Sequence, residues 1–184
     1  LHKEEDLSFK NVISFNLDEY YPIGKEHNLS YTYFMAEQLF NHVDIQKNNI
    51  HIPHSDFSQD RIAEYCLSYE EKIASFGGLD LQLLGIGRNG HIGFNEPGSS
   101  FDSTTRLIDL HPLTRKDAAL DFGTINAVPF QAISIGIQTI LQAIEILLLA
   151  LGERKSEIMS KALNGEITTE VPASILQTIP QAEF

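Results

Sequence analysis

The chain has 184 residues, 42% of them hydrophobic, and its 13 Lys and Arg against 25 Asp and Glu give a formal net charge of −12. The length predicts one domain with a core of its own. The acidic balance makes nucleic acids and anionic membranes poor candidate partners, because they bind clustered Lys and Arg. The longest apolar run, 146–151, is far shorter than the roughly 18 residues of a membrane span. A single cysteine, Cys66, excludes an internal disulfide framework and predicts the reducing cytoplasm.

Strand-like and helix-like runs alternate along the chain. In chain order they are a strand over 11–17, a helix from Ser30, a helix over 62–76, strands over 79–84, 132–137 and 144–151, and a helix over 154–163. This alternation is typical of an α/β domain with a mainly parallel sheet, in which ligands bind at the carboxyl ends of strands.

A glycine-rich segment follows the strand over 79–84. Its residues from Gly85 to Gly90 fit the pattern G-x-G-x-x-G, and Asp109 follows at a distance that suits a dinucleotide site. In such a site the glycines open a helix that binds the pyrophosphate. Here the next residues, 91–100, have the composition of a loop, which disfavours a dinucleotide cofactor.

The same segment is better interpreted as a catalytic loop. Asn89, His91, Asn95 and Glu96 lie within eight residues, and neighbouring glycines allow the backbone to approach a ligand closely. A neutral imidazole that is oriented by an amide or a carboxylate is a general base near pH 7. The alternative is a tight turn in which His91 only satisfies backbone groups.

Asp18 and Glu19 form a second candidate, directly after the first predicted strand. Burial of two adjacent carboxyl groups separates their pKa values and leaves one of them as a base. The alternative is an ordinary acidic strand end that caps the next element. If the two strands are parallel neighbours, Asp18 and His91 reach the same crevice.

The remaining candidates are weaker. His51 and His54 have the spacing H-x-x-H, but Pro53 prevents a helix that would bring the rings together, so we predict loop histidines and no metal. Cys66 is interpreted as an inert core residue. Lys155 begins a predicted helix and is either a phosphate ligand or a solvated lysine.

Two segments carry a family resemblance. Residues 15–20 (FNLDEY) and 85–97 (GIGRNGHIGFNEP) closely resemble the signature segments of the glucosamine-6-phosphate deaminase (isomerase) family. Similarity elsewhere extends the resemblance over nearly the whole chain. The related 6-phosphogluconolactonases share the fold but typically lack the equivalent of Glu96.

The resemblance implies a doubly wound, Rossmann-like sheet with helices on both faces. It also implies conversion of glucosamine 6-phosphate and water to fructose 6-phosphate and ammonium, without a redox cofactor. In this reaction His91 assists opening of the sugar ring and Asp18 moves a proton from C2 to C1. The implied catalytic residues are Asp18, Asn89, His91 and Glu96, and the implied substrate-binding residues are Glu19, Gly87, Gly90 and Lys155.

Three departures from the family pattern matter. Leu120 replaces a phosphate-binding arginine, and the acidic Asp121 follows it. Of the pair that forms an allosteric pocket in hexameric members, Arg106 is kept but Ile108 replaces a lysine, so we do not predict that regulation. The family's first strand and phosphate loop are expected before Leu1.

We therefore expect a single domain over 1–184 that is incomplete at both ends. Its expected partner is a small amino-sugar phosphate, and a homo-oligomer or a fusion to another carbohydrate-active domain stays open. Two other functions stay open as well. One is a catalytically weak sugar or sugar-phosphate binding module, and the other is a 6-phosphogluconolactonase-like hydrolase.

Overall fold

Strands and helices alternate along residues 7–184, which the computed structural model describes. The strands are β1 (Ser14–Phe15), β2 (Asp18–Tyr21), β3 (Ile50–His51), β4 (Leu81–Gly85), β5 (Arg106–Asp109), β6 (Gln131–Ser134), β7 (Glu145–Leu149) and β8 (Ala182–Glu183). The helices are α1 (Tyr31–Gln38), α2 (Ile62–Ser75), α3 (Pro112–Phe122), α4 (Ile137–Leu141) and α5 (Ser156–Asn164). No helix within this range is long and apolar enough to cross a membrane.

The strands form three small sheets in the described part of the chain. Two are parallel: β1 pairs with β3, and β7 lies between β4 and β8. In the third, β6 lies between β2 and β5 and is antiparallel to both. The α/β class with mainly parallel pairing is confirmed, whereas the antiparallel sheet was not predicted.

Several predicted elements are confirmed. The helix predicted over 62–76 is α2, and the helix predicted from Ser30 is α1. Ser30 caps α1, because its hydroxyl accepts a hydrogen bond from the Tyr33 amide at 3.0 Å. The strand predicted over 11–17 is wrong in extent, since only Ser14–Phe15 pair as a strand and the chain enters β2 at Asp18.

Two elements between 100 and 130 were not predicted. The β5 strand is short and only partly buried, so its sequence lacks an alternation of apolar and polar residues. The apolar residues of α3 do not form one stripe, since Leu120 is 88% exposed. Tertiary contacts, rather than local sequence pattern, fix both elements.

The main core lies between the sheet β4–β7–β8 and the helices α2, α4 and α5. Its members include Tyr69, Ile73, Leu84, Ile140, Ile146, Leu148, Ile158 and Ala162. A smaller cluster fixes α3 and β2 against the loop that follows β4; its members include Tyr20, Phe94, Leu110, Val128 and Ala132. This second cluster positions the candidate site.

An apolar groove of about 620 Å³ contacts both β1 and β4. Leu81 and Leu83 line this groove and are 56% and 55% exposed. Within the described residues, β1 pairs only with β3 and β4 only with β7, so each strand keeps one unpaired edge.

Candidate active site

The loop after β4 is folded tightly around an imidazole ring. The Gly87 amide donates to the His91 carbonyl at 2.9 Å, and the Gly90 amide donates to the Gly87 carbonyl at 3.0 Å. A Cβ on Gly87 would lie 2.1 Å from Cε1 of His91, so the ring packs directly on the Gly87 backbone. Only glycine leaves room for the ring at this position.

Asn89, His91 and Glu96 form a closed set of contacts. Nδ1 of His91 lies 2.7 Å from Oδ1 of Asn89 and 3.3 Å from Oε2 of Glu96. Nδ2 of Asn89 donates to the same Oε2 at 2.8 Å, which fixes the orientation of the amide. Because the two nearest neighbours of Nδ1, Oδ1 of Asn89 and Oε2 of Glu96, are acceptors, Nδ1 carries the proton in the neutral ring, and Nε2 is the nitrogen that can accept one.

Glu96 is ionised and buried beside the N-terminus of α3. Burial alone would raise its pKa, but the hydrogen bond and charge of His91, with hydrogen bonds from Thr114 and Asn89, lower the pKa to about 2. The His111 amide, at the start of α3, donates to Oε1 of Glu96 at 3.1 Å. The carboxylate can therefore stabilise a protonated His91.

Thr114 is a site residue that the sequence analysis missed. Its hydroxyl oxygen lies 3.4 Å from Nδ1 of His91, and the residue is buried on α3. Since α3 was not predicted, no sequence pattern placed Thr114 near His91.

Asp18 and Glu19 have different environments at the start of β2. Burial, with a further contribution from the charge of Glu19, raises the pKa of Asp18 to about 7. Glu19 is 2% exposed, and its carboxylate accepts the amides of Tyr31 and Thr32 at 2.9 Å each. Glu19 thus caps the N-terminus of α1. The raised pKa of Asp18 suits a base that acts near neutral pH.

The glycine-rich loop contacts the strand pair that carries Asp18. The Phe94 amide donates to the Ser134 hydroxyl at 3.1 Å, and Ser134 is the register partner of Asp18. Gly93 lies against Leu17 and Ser134. The expected route to this neighbourhood, through parallel neighbouring strands, is wrong, because β2 is antiparallel to β6 and does not pair with β4.

Lys155 contacts the start of the same loop. Its Nζ donates to the Ile86 carbonyl at 2.6 Å, directly after β4. Gly90 has a φ of +86° and packs against Val171. Its role is therefore to allow the turn of the loop, and it does not face an open surface. Leu120, on the exposed face of α3, offers no cation.

The other candidates lie apart from this loop or have structural partners. Asn95 is buried and donates to the carbonyls of Ile92 and Ile135, which fixes the loop. Burial raises the pKa of the Cys66 thiol to about 11, so the thiol is inert. Across residues 7–184, no cluster of three or more His, Cys, Asp or Glu could hold a metal ion.

Residues 1–182 match the model of a family described as glucosamine-6-phosphate isomerases/6-phosphogluconolactonase. The chain belongs to this family. It is 52% identical over 177 residues to the glucosamine-6-phosphate deaminase of Oceanobacillus iheyensis, which covers 96% of this chain and 70% of that protein. It is also 49% identical over 178 residues to a glucosamine-6-phosphate deaminase-like protein of Bacteroides thetaiotaomicron, covering 97% of this chain and 27% of that protein.

Solved structures of the family have the same fold. A monomeric glucosamine-6-phosphate deaminase superposes with a TM-score of 0.95 at 42% identity, covering 99% of this chain and 75% of that chain. The 6-phosphogluconolactonase of Thermotoga maritima superposes with a TM-score of 0.72 at 22% identity, covering 93% and 70% of the two chains. The second likeness concerns the fold alone.

Proposed function

We propose that this protein is a glucosamine-6-phosphate deaminase, which converts glucosamine 6-phosphate and water to fructose 6-phosphate and ammonium. The observation that carries this function is the closed set Asn89–His91–Glu96 on the loop that contacts the strand pair of Asp18. The named deaminases among its relatives support the same function.

The first step opens the pyranose ring. Nε2 of His91 takes the proton of the C1 hydroxyl and returns a proton to the ring oxygen, so the C1–O5 bond breaks and an aldehyde forms. Asn89 and Glu96 hold Nδ1 and keep the ring in one tautomer. The negative charge of Glu96 stabilises the imidazolium while it carries the proton.

The second step moves a proton between two carbons. Asp18, whose pKa of about 7 leaves a large fraction of it ionised at neutral pH, removes the C2 proton while the aldehyde oxygen takes a proton from the C2 ammonium group of the sugar, which generates an enolamine. The same proton is delivered to C1, which leaves an imine at C2. Water hydrolyses that imine, and the products are fructose 6-phosphate and ammonium.

Substrate binding is proposed for Lys155, whose ammonium group can face the phosphate while it holds the Ile86 carbonyl. Gly87 and Gly90 contribute the close backbone of the loop, and Glu19 acts through Asp18 and α1. A cytoplasmic location, a homo-oligomer and a fusion to a second domain stay predictions.

The test is ammonium release from glucosamine 6-phosphate by the full-length protein. We expect Asp18→Asn and His91→Gln to lower kcat by at least about 100-fold, in the range for loss of a general acid or base. Asp60→Asn, which changes an exposed aspartate on the surface, is the matched control and should leave kcat unchanged. Equal ammonium release by the His91 variant and the unmodified protein would contradict the mechanism.

A second candidate is a sugar or sugar-phosphate binding module with weak catalysis. The exposed Leu120, with Asp121 next to it, favours this candidate because neither residue can pair with a phosphate. Calorimetric titration with glucosamine 6-phosphate and with unphosphorylated glucosamine distinguishes the two. Binding without ammonium release would support the binding module.

A further inference from the structure

Arg106, the first residue of β5, binds both ends of the turn 95–99, which contains Glu96. Its Nη1 donates to Oδ1 of Asn95 at 2.9 Å, and its Nη2 donates to the Ser99 hydroxyl at 3.1 Å. Asn95 directly precedes Glu96, and the Ser99 amide donates to the Glu96 carbonyl at 2.9 Å. One planar guanidinium therefore spans the whole turn.

The acceptor on Asn95 depends on this guanidinium. Asn95 is 0% exposed, and its Nδ2 donates to the Ile92 and Ile135 carbonyls at 2.9 Å each, which fixes the direction of the amide. Without Arg106, Oδ1 of Asn95 would be buried without a donor, and an unsatisfied buried acceptor forces a rearrangement. The segment that would rearrange is the one that holds Glu96 against His91.

Arg106 has no carboxylate partner among residues 7–184. The acceptors of its guanidinium are an amide oxygen, a hydroxyl and the Thr104 carbonyl, all of them neutral. The shape of the guanidinium, rather than a charge pair, explains why arginine stands here, because a lysine ammonium cannot reach Asn95 and Ser99 in the same planar geometry.

We propose that Arg106 is a positioning residue for the deaminase reaction, which sets the distance between Glu96 and His91 by holding Asn95 and Ser99. This inference rests on the proposed function. It adds to that function a residue that touches neither the substrate nor the reacting atoms, and that acts only through the turn 95–99.

The test compares three variants of the full-length protein. We expect Arg106→Met to lower kcat by about 10- to 100-fold, as for a displacement of about 1 Å in a catalytic group, with KM changed less than about threefold. Arg106→Lys should lower kcat nearly as much, because lysine keeps the charge but cannot bind Asn95 and Ser99 at the same time. Both variants are assayed at a temperature where circular dichroism shows them folded.

Arg115→Met is the matched control. Arg115 also binds neutral acceptors only, since it donates to the carbonyls of Pro129, Ile125 and Val128. None of these three acceptors belongs to the turn 95–99. We expect this variant to be less stable to urea but, at a temperature where α3 stays folded, to keep kcat within about twofold. Equal kcat losses in the Arg106 and Arg115 variants, or unchanged kcat in Arg106→Lys, would overturn the proposal.

A readout that does not depend on activity separates this inference from the proposed function. The ring resonances of His91 in nitrogen-edited NMR spectra should shift in Arg106→Met and stay in place in Arg115→Met. Unmodified protein without ammonium release would refute the deaminase function, whereas unmoved His91 resonances in Arg106→Met would refute the role of Arg106.

Discussion

At the residue scale, the adjacent carboxyl groups of Asp18 and Glu19 at the start of β2 have different roles because their environments differ. Asp18 has a pKa raised to about 7 by burial and by the charge of Glu19, whereas Glu19 uses its oxygens to accept backbone amides. The residue pattern alone left open which of the two acids is the base, and only the family resemblance implied Asp18. The capping bonds to α1, visible only in the fold, favour Asp18.

This division predicts a pH dependence. Protonated Asp18 cannot accept the C2 proton, so kcat/KM should rise with pH through about 7 and level off above it, after correction for ionisation of the substrate. Glu19→Gln removes a negative charge that raises the pKa of Asp18, so the rise should move to lower pH. The same profile in Glu64→Gln, an exposed surface change, serves as the control. A shift to higher pH in Glu19→Gln would contradict the assignment.

Gly87 leaves the space that the His91 ring occupies, and we predict that kcat depends on this space. Gly87→Ala would place a Cβ 2.1 Å from the His91 ring, so the ring must leave the position in which it contacts Asn89 and Glu96. We expect kcat to fall by about 100-fold, as for a displacement of about 1 Å.

Gly85→Ala is the matched control for that change, because a Cβ at Gly85 meets nothing within 4 Å. It tests alanine two residues away, at the last residue of β4. Similar kcat losses in both alanine variants would show that the ring contact is not the cause.

At the element scale, α1 is held at its N-terminus by two different side chains. Glu19 accepts the amides of Tyr31 and Thr32, and Ser30 accepts the amide of Tyr33 while donating to the Lys25 carbonyl. These bonds satisfy most of the free amides of the first turn. One hydrogen-bond network therefore joins the N-terminus of α1 to Glu19, the sequence neighbour of Asp18.

Removing the Ser30 cap tests the strength of that network. We expect Ser30→Ala to lower the free energy of unfolding by about 1–2 kcal/mol, the usual cost of losing a buried cap. Ser75→Ala, at the exposed end of α2, should cost less than about 0.5 kcal/mol. Urea denaturation followed by circular dichroism measures both, and equal costs would contradict the capping role.

The same scale shows what sequence patterns could and could not predict. The α2 helix repeats apolar residues three or four apart, so its extent was predicted almost to the residue. In contrast, β5 and α3 are shaped by contacts with β6 and with the loop after β4, which a local pattern does not contain. Thr114, and the contacts that Arg106 makes with the turn 95–99, were missed for the same reason.

At the scale of the whole molecule, the parallel order was predicted but the antiparallel sheet was not. Alternating strands and helices favour parallel pairing in general, and β4, β7 and β8 follow that rule. The sheet that carries Asp18 is built from short strands in which polar and buried residues mix. The antiparallel direction of this sheet depends on pairing of β2 and β5 with β6, which lies far away in the sequence. No turn motif in the sequence predicts this pairing.

The apolar groove between β1 and β4 predicts the solution behaviour of residues 1–184. An unpaired strand edge that carries exposed leucines promotes edge-to-edge association. We expect Leu83→Lys to reduce self-association of this chain in light scattering at high protein concentration. Leu120→Lys, which replaces an even more exposed leucine on a helix, should have little effect, and an equal reduction would contradict an edge-dependent association.

The loop with His91 and the helix α3 are fastened to each other at two points. Arg88 binds Asp117 with bonds of 2.9 and 2.6 Å, and Glu96 accepts the His111 amide at 3.1 Å. Because opening of α3 breaks these contacts, we expect α3 and the loop to unfold as one cooperative unit. A mutation in α3 that makes the helix fray would therefore lower the fraction of molecules with an assembled site. The chemistry in each molecule that keeps its site assembled would be unchanged.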